Sequence, residues 1–177
     1  MTGVSKEPLA PAEPDLDEEE RPEFDGSLAR LVDAVARDAD LANARAPGAL
    51  LRRVRLERVR LTGVELPEST IEDVVFADCR LDLASLRLAR LARVRFERCR
   101  MEELDLQGAT LSSVFFVECA LQRATWAGVK STRTELRGCD LAGAINPERL
   151  RGMRMPWPDA VNAVAELASA AGVEIVE

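Results

Sequence analysis

The sequence of 177 residues contains no histidine and no tyrosine, and its aromatic residues are five phenylalanines and two tryptophans. Without histidine, neither a Ser/His nor a Cys/His nucleophile pair can form. No glycine-rich phosphate loop or nucleotide-binding fingerprint is present. These gaps argue against an enzyme, and we expect no catalytic residue, no bound metal and no cofactor.

Long apolar runs are also missing from the sequence. No stretch approaches the roughly 18 consecutive apolar residues of a membrane-spanning helix, and the start lacks the basic and then apolar order of a signal peptide. Four cysteines without such a signal indicate reduced thiols. We therefore expect a cytoplasmic protein that does not contact a membrane.

The formal charge of −7 is concentrated at the N-terminus. Residues 1–48 hold 5 Lys/Arg against 12 Asp/Glu, whereas residues 49–145 hold 16 against 14. Residues 1–25 include four prolines and the acidic stretch Asp15 to Glu20. With so little apolar surface to offset the entropy of ordering, they predict an acidic disordered tail. It either keeps the protein solvated or binds a partner.

The main positive feature is an apolar residue at every fifth position from Leu51 to Leu141. Eighteen of these nineteen positions are large and apolar, and only Ser131 departs. Two residues before each lies a small or β-branched residue, with Leu104 as the exception. Five residues rotate about 140° around an α-helix, and an odd step reverses the faces of a strand. The chain must therefore turn a corner in every unit of five.

A second spacing, of twenty residues, indicates how many units close one coil. Four sides of five residues bring like residues above one another at the roughly 4.8 Å spacing of paired strands. The recurring phenylalanines and cysteines, which we expect to be core packing residues, are Phe76, Phe96, Phe116, Cys79, Cys99, Cys119 and Cys139. Parallel Cβ vectors disfavour disulfides along the cysteine column, and a straight ladder cannot surround a tetrahedral metal.

Units such as Ala-Asp-Cys-Arg-Leu (77–81) and Arg-Gly-Cys-Asp-Leu (137–141) have a central leucine with a small residue two positions before it. On these units, residues 49–145 resemble the pentapeptide-repeat protein family. The resemblance implies an all-β solenoid, a right-handed quadrilateral (four-sided) parallel β-helix. Arginine often stands just before the centre, where that family usually has Asp or Asn. A leucine-rich repeat also allows a period of about twenty, but the five-residue sub-period argues against it.

Both ends of the repeat are expected to carry helical caps, because an array needs covered ends. In residues 26–48 an N-cap at Ser27 precedes apolar residues at helical spacing, which predicts an N-terminal capping helix. Its apolar residues are Leu28, Leu31, Val32 and Val35.

Residues 146–177 change character after Asn146-Pro147. They predict a helix that begins at Pro158 and ends before Gly172, followed by a short strand at residues 173–176. Trp157 adds apolar surface. A C-terminal extension mediates dimerisation in gyrase-protecting members of the family, so the resemblance implies a dimer contact here, compatible with a cap.

Outward positions supply the candidate partner surfaces. Val75, Phe115 and Val117 flank buried centres and predict an apolar patch that, with Trp157, contacts a partner or a second copy. Arg60, Arg80 and Arg100 stack on another side as a candidate basic surface, where neighbouring carboxylates are expected to pair with them. The lack of interleaved aromatic residues and the acidic net charge argue against nucleic-acid binding.

These observations predict a non-enzymatic protein-interaction module whose partner is not identified by the sequence, with a homodimer left open. The resemblance implies one alternative, a DNA-mimicking modulator or protector of DNA gyrase, a type II topoisomerase. The nearly neutral repeat and its arginine columns oppose that alternative, because the rods that imitate duplex DNA are strongly negative.

Overall fold

The computed structural model describes residues 8–12 and 27–176. Its strands are β1 (Arg30–Arg37), β2 (Leu50–Glu57), β3 (Thr70–Ala77), β4 (Arg90–Glu97), β5 (Thr110–Val117), β6 (Lys130–Thr132) and β7 (Glu135–Arg137). A 3-10 turn at Pro147–Leu150 follows, and then the helices α1 (Trp157–Asn162) and α2 (Val164–Ala170).

The strands pair in parallel and in chain order, with a register shift of twenty residues. Ile71 of β3 therefore lies between Leu51 and Leu91 of its neighbours. On the remaining sides of each coil, single parallel bridges such as Arg60 to Arg80 and Glu65 to Ser85 repeat the same shift. The result is a parallel β-solenoid of about five turns, as the five- and twenty-residue spacings predict.

The corners of the coils use left-handed backbone. From Asp33 to Gly143, every fifth residue has a positive φ, and six of these residues are glycines. Other side chains occupy the rest, including Leu83 at φ 59° and Leu88 at φ 56°. A non-glycine residue in this region costs roughly 1–2 kcal/mol, so the core and the contacts between coils must offset strain at many corners.

The core is a set of columns of like residues along the rod axis. The rings of Phe76 and Phe96 stack with centroids 4.8 Å apart, Phe96 and Phe116 follow at 5.1 Å, and Trp126 meets Phe116 edge-on. All of these rings are fully buried. The stacking is the direct consequence of the twenty-residue register.

The predicted N-terminal capping helix in residues 26–48 is wrong. Residues Arg30–Arg37 form β1, and the first coil continues beyond it with Ala36, Leu41 and Ala46 as buried centres. Alanines replace the large centres at two of these positions and conceal the five-residue period. The helical spacing that starts at Leu28 is coincidental, because pairing with β2 and burial in the rod override local propensity.

The predicted acidic tail is described only at residues 8–12; the rest of residues 1–25 lies outside the described residues. Ala12 N donates a hydrogen bond to Asp73 Oδ1 at 3.0 Å, and Pro8 is buried. This part of the predicted tail is therefore held against β3, more than sixty residues away in sequence.

The C-terminal segment contains two short helices instead of one, joined at Ala163. Gly172 has φ 73° and ends α2 as expected: its N–H donates to Ser169 O, and Val173 N donates to Ala168 O at 2.8 Å. The predicted strand at 173–176 does not form. A strand needs a partner edge, and Glu135 in the last coil already bridges Arg154.

Candidate interaction surfaces

Aspartates and arginines alternate along one column of corners, from Asp33 through Arg53 and Asp73 to Arg93. The guanidinium of Arg53 binds both carboxylate oxygens of Asp33. Arg93 Nε lies 2.6 Å from Asp73 Oδ1, and Nη2 lies 2.8 Å from Oδ2. This donation lowers the pKa of the Asp73 carboxyl, although burial opposes it.

A second ladder runs along the next column of corners. Arg58 Nε donates to Asp38 at 2.7 Å, and Arg98 Nε donates to Asp78 at 2.8 Å. Both carboxyl pKa values are lowered, chiefly by these hydrogen bonds. The twenty-residue register thus places unlike charges in adjacent coils at both columns.

The candidate basic surface of Arg60, Arg80 and Arg100 is largely neutralised by nearby carboxylates. Arg60 pairs with Asp40 at 3.1 Å, and Arg100 pairs with Glu102 at 3.3 Å. Arg80 lies exposed between them without an ion pair to any described residue. The column is therefore a mixed-charge surface, with one unpaired cation at its middle.

The four cysteines are free thiols aligned along the core. Each Sγ–H donates to the carbonyl of a centre in the preceding coil, as from Cys99 to Phe76 O at 3.4 Å. The neighbouring Cys119 and Cys79 thiols, together with burial, raise the pKa of Cys99. In the described ranges, no cluster of His, Cys, Asp and Glu residues could hold a metal ion.

One flank of the rod carries apolar pairs in alternate coils. The outward positions of β2 hold Arg55 and Glu57, whose Nε and Oε1 atoms lie 2.5 Å apart, and those of β4 hold the ion pair of Arg95 and Glu97. At the same register, the intervening β3 has Val75 and Ala77. Strand β5 has Phe115 and Val117.

Val75 does not contribute to an exposed surface, which corrects the predicted patch of Val75, Phe115 and Val117. It is 8% exposed, and Ala77 is 3% exposed, although both point away from the core. The segment 8–12 is bonded to Asp73 of the same strand. Sequence patterning placed Val75 on the outer side of the coil, but the sequence did not indicate that a distant segment lies against this strand.

Phe115 and Val117, which we name the flank patch, remain half-buried on β5. The guanidinium carbon of Arg95 lies 5.1 Å from the centroid of the Phe115 ring, a cation–π geometry that orients the ring. The flank patch is therefore an ordered apolar surface between charged neighbours.

A second apolar surface, the terminal face, consists of Trp157, Val161 and Val164. Their spacing of four and three residues places them on one side of the helical segment, and Trp157 is 80% exposed.

No helix within the described ranges has the length and apolar character to cross a membrane.

The opposite side of the helices is attached to the last coil. Asp159 Oδ2 accepts a hydrogen bond from Gly138 N at 2.7 Å, and Glu166 Oε1 accepts one from Gly143 N at 3.0 Å. Between them Ala163 is buried. Sequence reasoning missed both carboxylates. A sequence signal was available: Asp159 and Glu166 are seven residues apart with the small Ala163 between them, a spacing that places all three on one side of a helix.

Stacked four-sided coils with one inward centre on each side define a parallel β-solenoid with five-residue sides. Family models described as "Pentapeptide repeat region" match residues 49–121 and 69–145, and "Pentapeptide repeats (8 copies)" matches residues 29–66. The chain belongs to the pentapeptide repeat family, and the second match includes the first coil that sequence reasoning assigned to a helix.

Solved structures of this fold share low sequence identity with the chain. A pentapeptide repeat protein from the Arabidopsis thaliana thylakoid lumen is 13% identical over 69% of this chain and 73% of its own, with a TM-score of 0.43. QnrB1, a plasmid-mediated fluoroquinolone resistance protein, is 18% identical over 89% and 94%, with a TM-score of 0.37.

HetL, involved in heterocyst differentiation regulation in the cyanobacterium Nostoc sp. strain PCC 7120, is 16% identical over 75% of this chain and 90% of its own, with a TM-score of 0.32. No curated protein matches the chain.

Proposed function

We propose that this protein is a non-enzymatic protein-interaction module that presents apolar side chains from its solenoid. The exposure of Trp157 on the terminal face carries the proposal. Tryptophan buries a large area on binding and is enriched among the residues that dominate interface energies. The hydrogen bonds of Asp159 and Glu166 hold the helices in place, so this surface is ordered before a partner arrives.

The terminal face is best suited to a homodimer contact. A two-fold interface uses the same patch on both copies, and an apolar face at the end of a rod can meet its own copy in this way. The exposed apolar residues Val173, Ile175 and Val176 follow α2 directly and enlarge the available area. The protein would then be a dimer joined end to end.

Sedimentation velocity tests the dimer. We expect wild type to sediment as a dimer at micromolar concentration and Trp157→Glu to sediment as a monomer with an unchanged circular dichroism spectrum. Leu83→Glu is the matched control, because Leu83 is also exposed but belongs to a corner of the solenoid. A monomeric wild type at all concentrations would contradict the proposed contact.

The flank patch is proposed as the contact for a second protein. Affinity capture from the native cytosol, with wild type and Phe115→Glu as baits, would identify that protein. A partner retained equally by both baits would exclude the flank patch as its binding site. The four cysteines are free thiols, which supports a reducing cytoplasmic location for the protein. The native cytosol is therefore the source for the capture.

Modulation or protection of DNA gyrase is the alternative function. It is supported by family membership and opposed by charge, since Asp and Arg alternate along both corner columns and do not form a continuous negative surface. A supercoiling assay with purified gyrase, with and without a quinolone, decides the question. If the protein neither inhibits gyrase nor protects it from the quinolone, this alternative is removed.

A further inference from the structure

One flank of the rod carries two apolar surfaces at equivalent positions: the β3 notch (Val75 and Ala77) and the β5 notch (the flank patch of Phe115 and Val117). Residues 8–12 of the same chain are held at the β3 notch. Val75 and Ala77 of β3 occupy the same outward positions as Phe115 and Val117 of β5, with β4 between them. Ion pairs at these positions border both notches: Arg55–Glu57 and Arg95–Glu97 beside β3, and Arg95–Glu97 and Arg137–Glu135 beside β5. The segment held at the β3 notch, residues 8–12, therefore indicates what kind of segment the β5 notch can bind.

The segment at the β3 notch is apolar and contains two prolines. Residues 8–12 read Pro-Leu-Ala-Pro-Ala and have no helix or strand structure. Ala12 N is anchored on Asp73 and Pro8 is buried, whereas Leu9 is 49% exposed. Val75 and Ala77 are buried in the same strand as Asp73. In sequence, the segment lies between Glu7 and Glu13 and precedes the acidic stretch that begins at Asp15.

The β5 notch has a serine at the position of the anchoring aspartate. Ser113 occupies the corner register of Asp73, forty residues later. It is 1% exposed, and its Oγ has no hydrogen-bond partner. Because this hydroxyl is closed to solvent, it does not anchor an incoming main-chain N–H as Asp73 anchors Ala12. The β5 notch therefore holds a ligand through packing and charge.

Unpaired cations lie beside the β5 notch. Arg133 follows Ser113 in the same corner column, and Lys130 lies exposed beyond that corner, where it pairs in register with Thr110. Neither has an ion pair with any described residue, whereas Arg93, on the opposite side of Ser113, is already held by Asp73 and Glu72. The charge at this corner of the notch is complementary to carboxylates, whereas the opposite corner holds Glu118, which has no ion pair with any described residue.

We propose that the flank patch binds an extended, proline-containing apolar segment of a partner protein, with carboxylates directly after it, of the same kind as residues 8–13. This inference rests on the proposed interaction function and names the chemistry of its partner. The apolar side chains pack on Phe115 and Val117, and the carboxylates pair with Arg133 and Lys130. Prolines hold such a segment extended beforehand, which lowers the entropy cost of binding.

A peptide titration of the intact protein tests the proposal. The probe is a synthetic peptide with the sequence of residues 7–13, Glu-Pro-Leu-Ala-Pro-Ala-Glu, followed by amide chemical shifts in a ¹⁵N-labelled full chain. We expect saturable shifts at Ser113, Phe115 and Val117. Replacing the final glutamate of the peptide with lysine should weaken binding several-fold, since Arg133 and Lys130 would then repel it.

Variants separate binding at the flank patch from general apolar adhesion. Phe115→Glu and Val117→Lys should each weaken the peptide at least tenfold, and using two variants protects the test if one of them fails to fold. Leu88→Glu, which replaces an exposed leucine on another side of the coil, should bind like wild type. Absence of shifts, shifts confined to β3, or equal affinity in all variants would overturn the proposal.

The remaining outcomes distinguish this inference from the proposed function. A dimer that forms without peptide and is lost in Phe115→Glu would show that a second copy fills the notch, which also overturns the proposal. A cytosolic protein captured through Phe115 without peptide binding would refute the partner chemistry while leaving the interaction function intact. Failure of both capture and peptide binding would refute both.

Discussion

Arg93 of β4 holds both carboxylate oxygens of Asp73 in β3, one coil away, at 2.6 Å and 2.8 Å. Asp73 is only 7% exposed and also accepts the N–H of Ala12 at 3.0 Å. One carboxylate therefore joins two coils and the N-terminal segment. Asp73 is therefore the residue at which the contact between coils and the contact with the N-terminal segment meet.

The first prediction concerns this pair. Arg93→Ala leaves the Asp73 carboxylate buried without its cation and should lower the free energy of unfolding by about 1–3 kcal/mol in urea titrations. Arg98→Ala is the matched control at the second ladder. Its partner Asp78 is much more exposed, so solvent screens the pair and the loss should be smaller. Equal losses would contradict a special role for the buried carboxylate.

Acid should weaken the rod through the same carboxylate. The Arg93 hydrogen bonds hold the pKa of Asp73 below its ordinary 3.8, so the unfolded chain binds more protons than the folded chain as the pH falls through this range. The stabilisation is complete well above pH 3.8 and is lost as the pH drops through the folded pKa. Melting temperatures of wild type and Asp73→Asn, measured from neutral pH downward, should therefore converge in acid. A constant difference would argue against the linkage.

The phenylalanine column should dominate core stability. Phe96 stacks between Phe76 and Phe116, so Phe96→Ala opens a cavity that neighbours in a fixed register cannot fill. We expect a loss of about 3–5 kcal/mol in the free energy of unfolding. Phe115→Ala, which shortens a half-buried ring on the flank, should lose clearly less. Chemical denaturation followed by circular dichroism compares the two.

Thiol reactivity should follow burial along the cysteine column. Cys79, Cys99 and Cys119 are buried, whereas Cys139 is half-buried in the last complete coil. Iodoacetamide added to the native protein should label Cys139 first, and the other three should react only after denaturation. Mass spectrometry of tryptic peptides gives the order. Labelling of Cys99 at the rate of Cys139 would show that the rod opens locally.

Corner strain offers a route to a more stable protein. Leu83 holds φ at 59° with an exposed side chain, so Leu83→Gly should raise the free energy of unfolding by roughly 0.5–1 kcal/mol, the relieved strain less the backbone entropy of glycine. Leu83→Ala keeps a Cβ at positive φ and should give no such gain. Thermal denaturation of the three proteins tests the difference. If the alanine variant alone were more stable, the cause would be the loss of the exposed leucine side chain and not the relief of backbone strain.

The repeat could be predicted from sequence because its period and its packing have the same cause. Each centre is buried by its own side of the coil, and a twenty-residue register stacks it on a similar residue of the next coil. The twenty-residue spacing of Phe96 and Cys99 from their like neighbours therefore shows the register directly in the sequence. The first coil was missed because Ala36 and Ala46 are weak signals. Residues from Leu28 to Val35 also match a helical spacing, and only pairing with β2 rejects that assignment.

The candidate surfaces were partly predictable for a related reason. Position within a unit of five determines which side chains point outward, so Phe115 and Val117 could be assigned to a surface before the structure was known. Which outward residues stay accessible depends on contacts between distant segments. Asp159 and Glu166 lie twenty-one and twenty-three residues from the main-chain groups they bind.

The sequence by itself determined the five-residue side, the four-sided coil and the burial of its centres, because these depend on spacings within about twenty residues. Only the tertiary structure decided that Val75 is covered while Phe115 is half-buried, since the segment held on β3 comes from residues 8–12, 61 positions before the aspartate that anchors it. Two notches at equivalent positions of the solenoid thus differ because a distant segment packs on one of them.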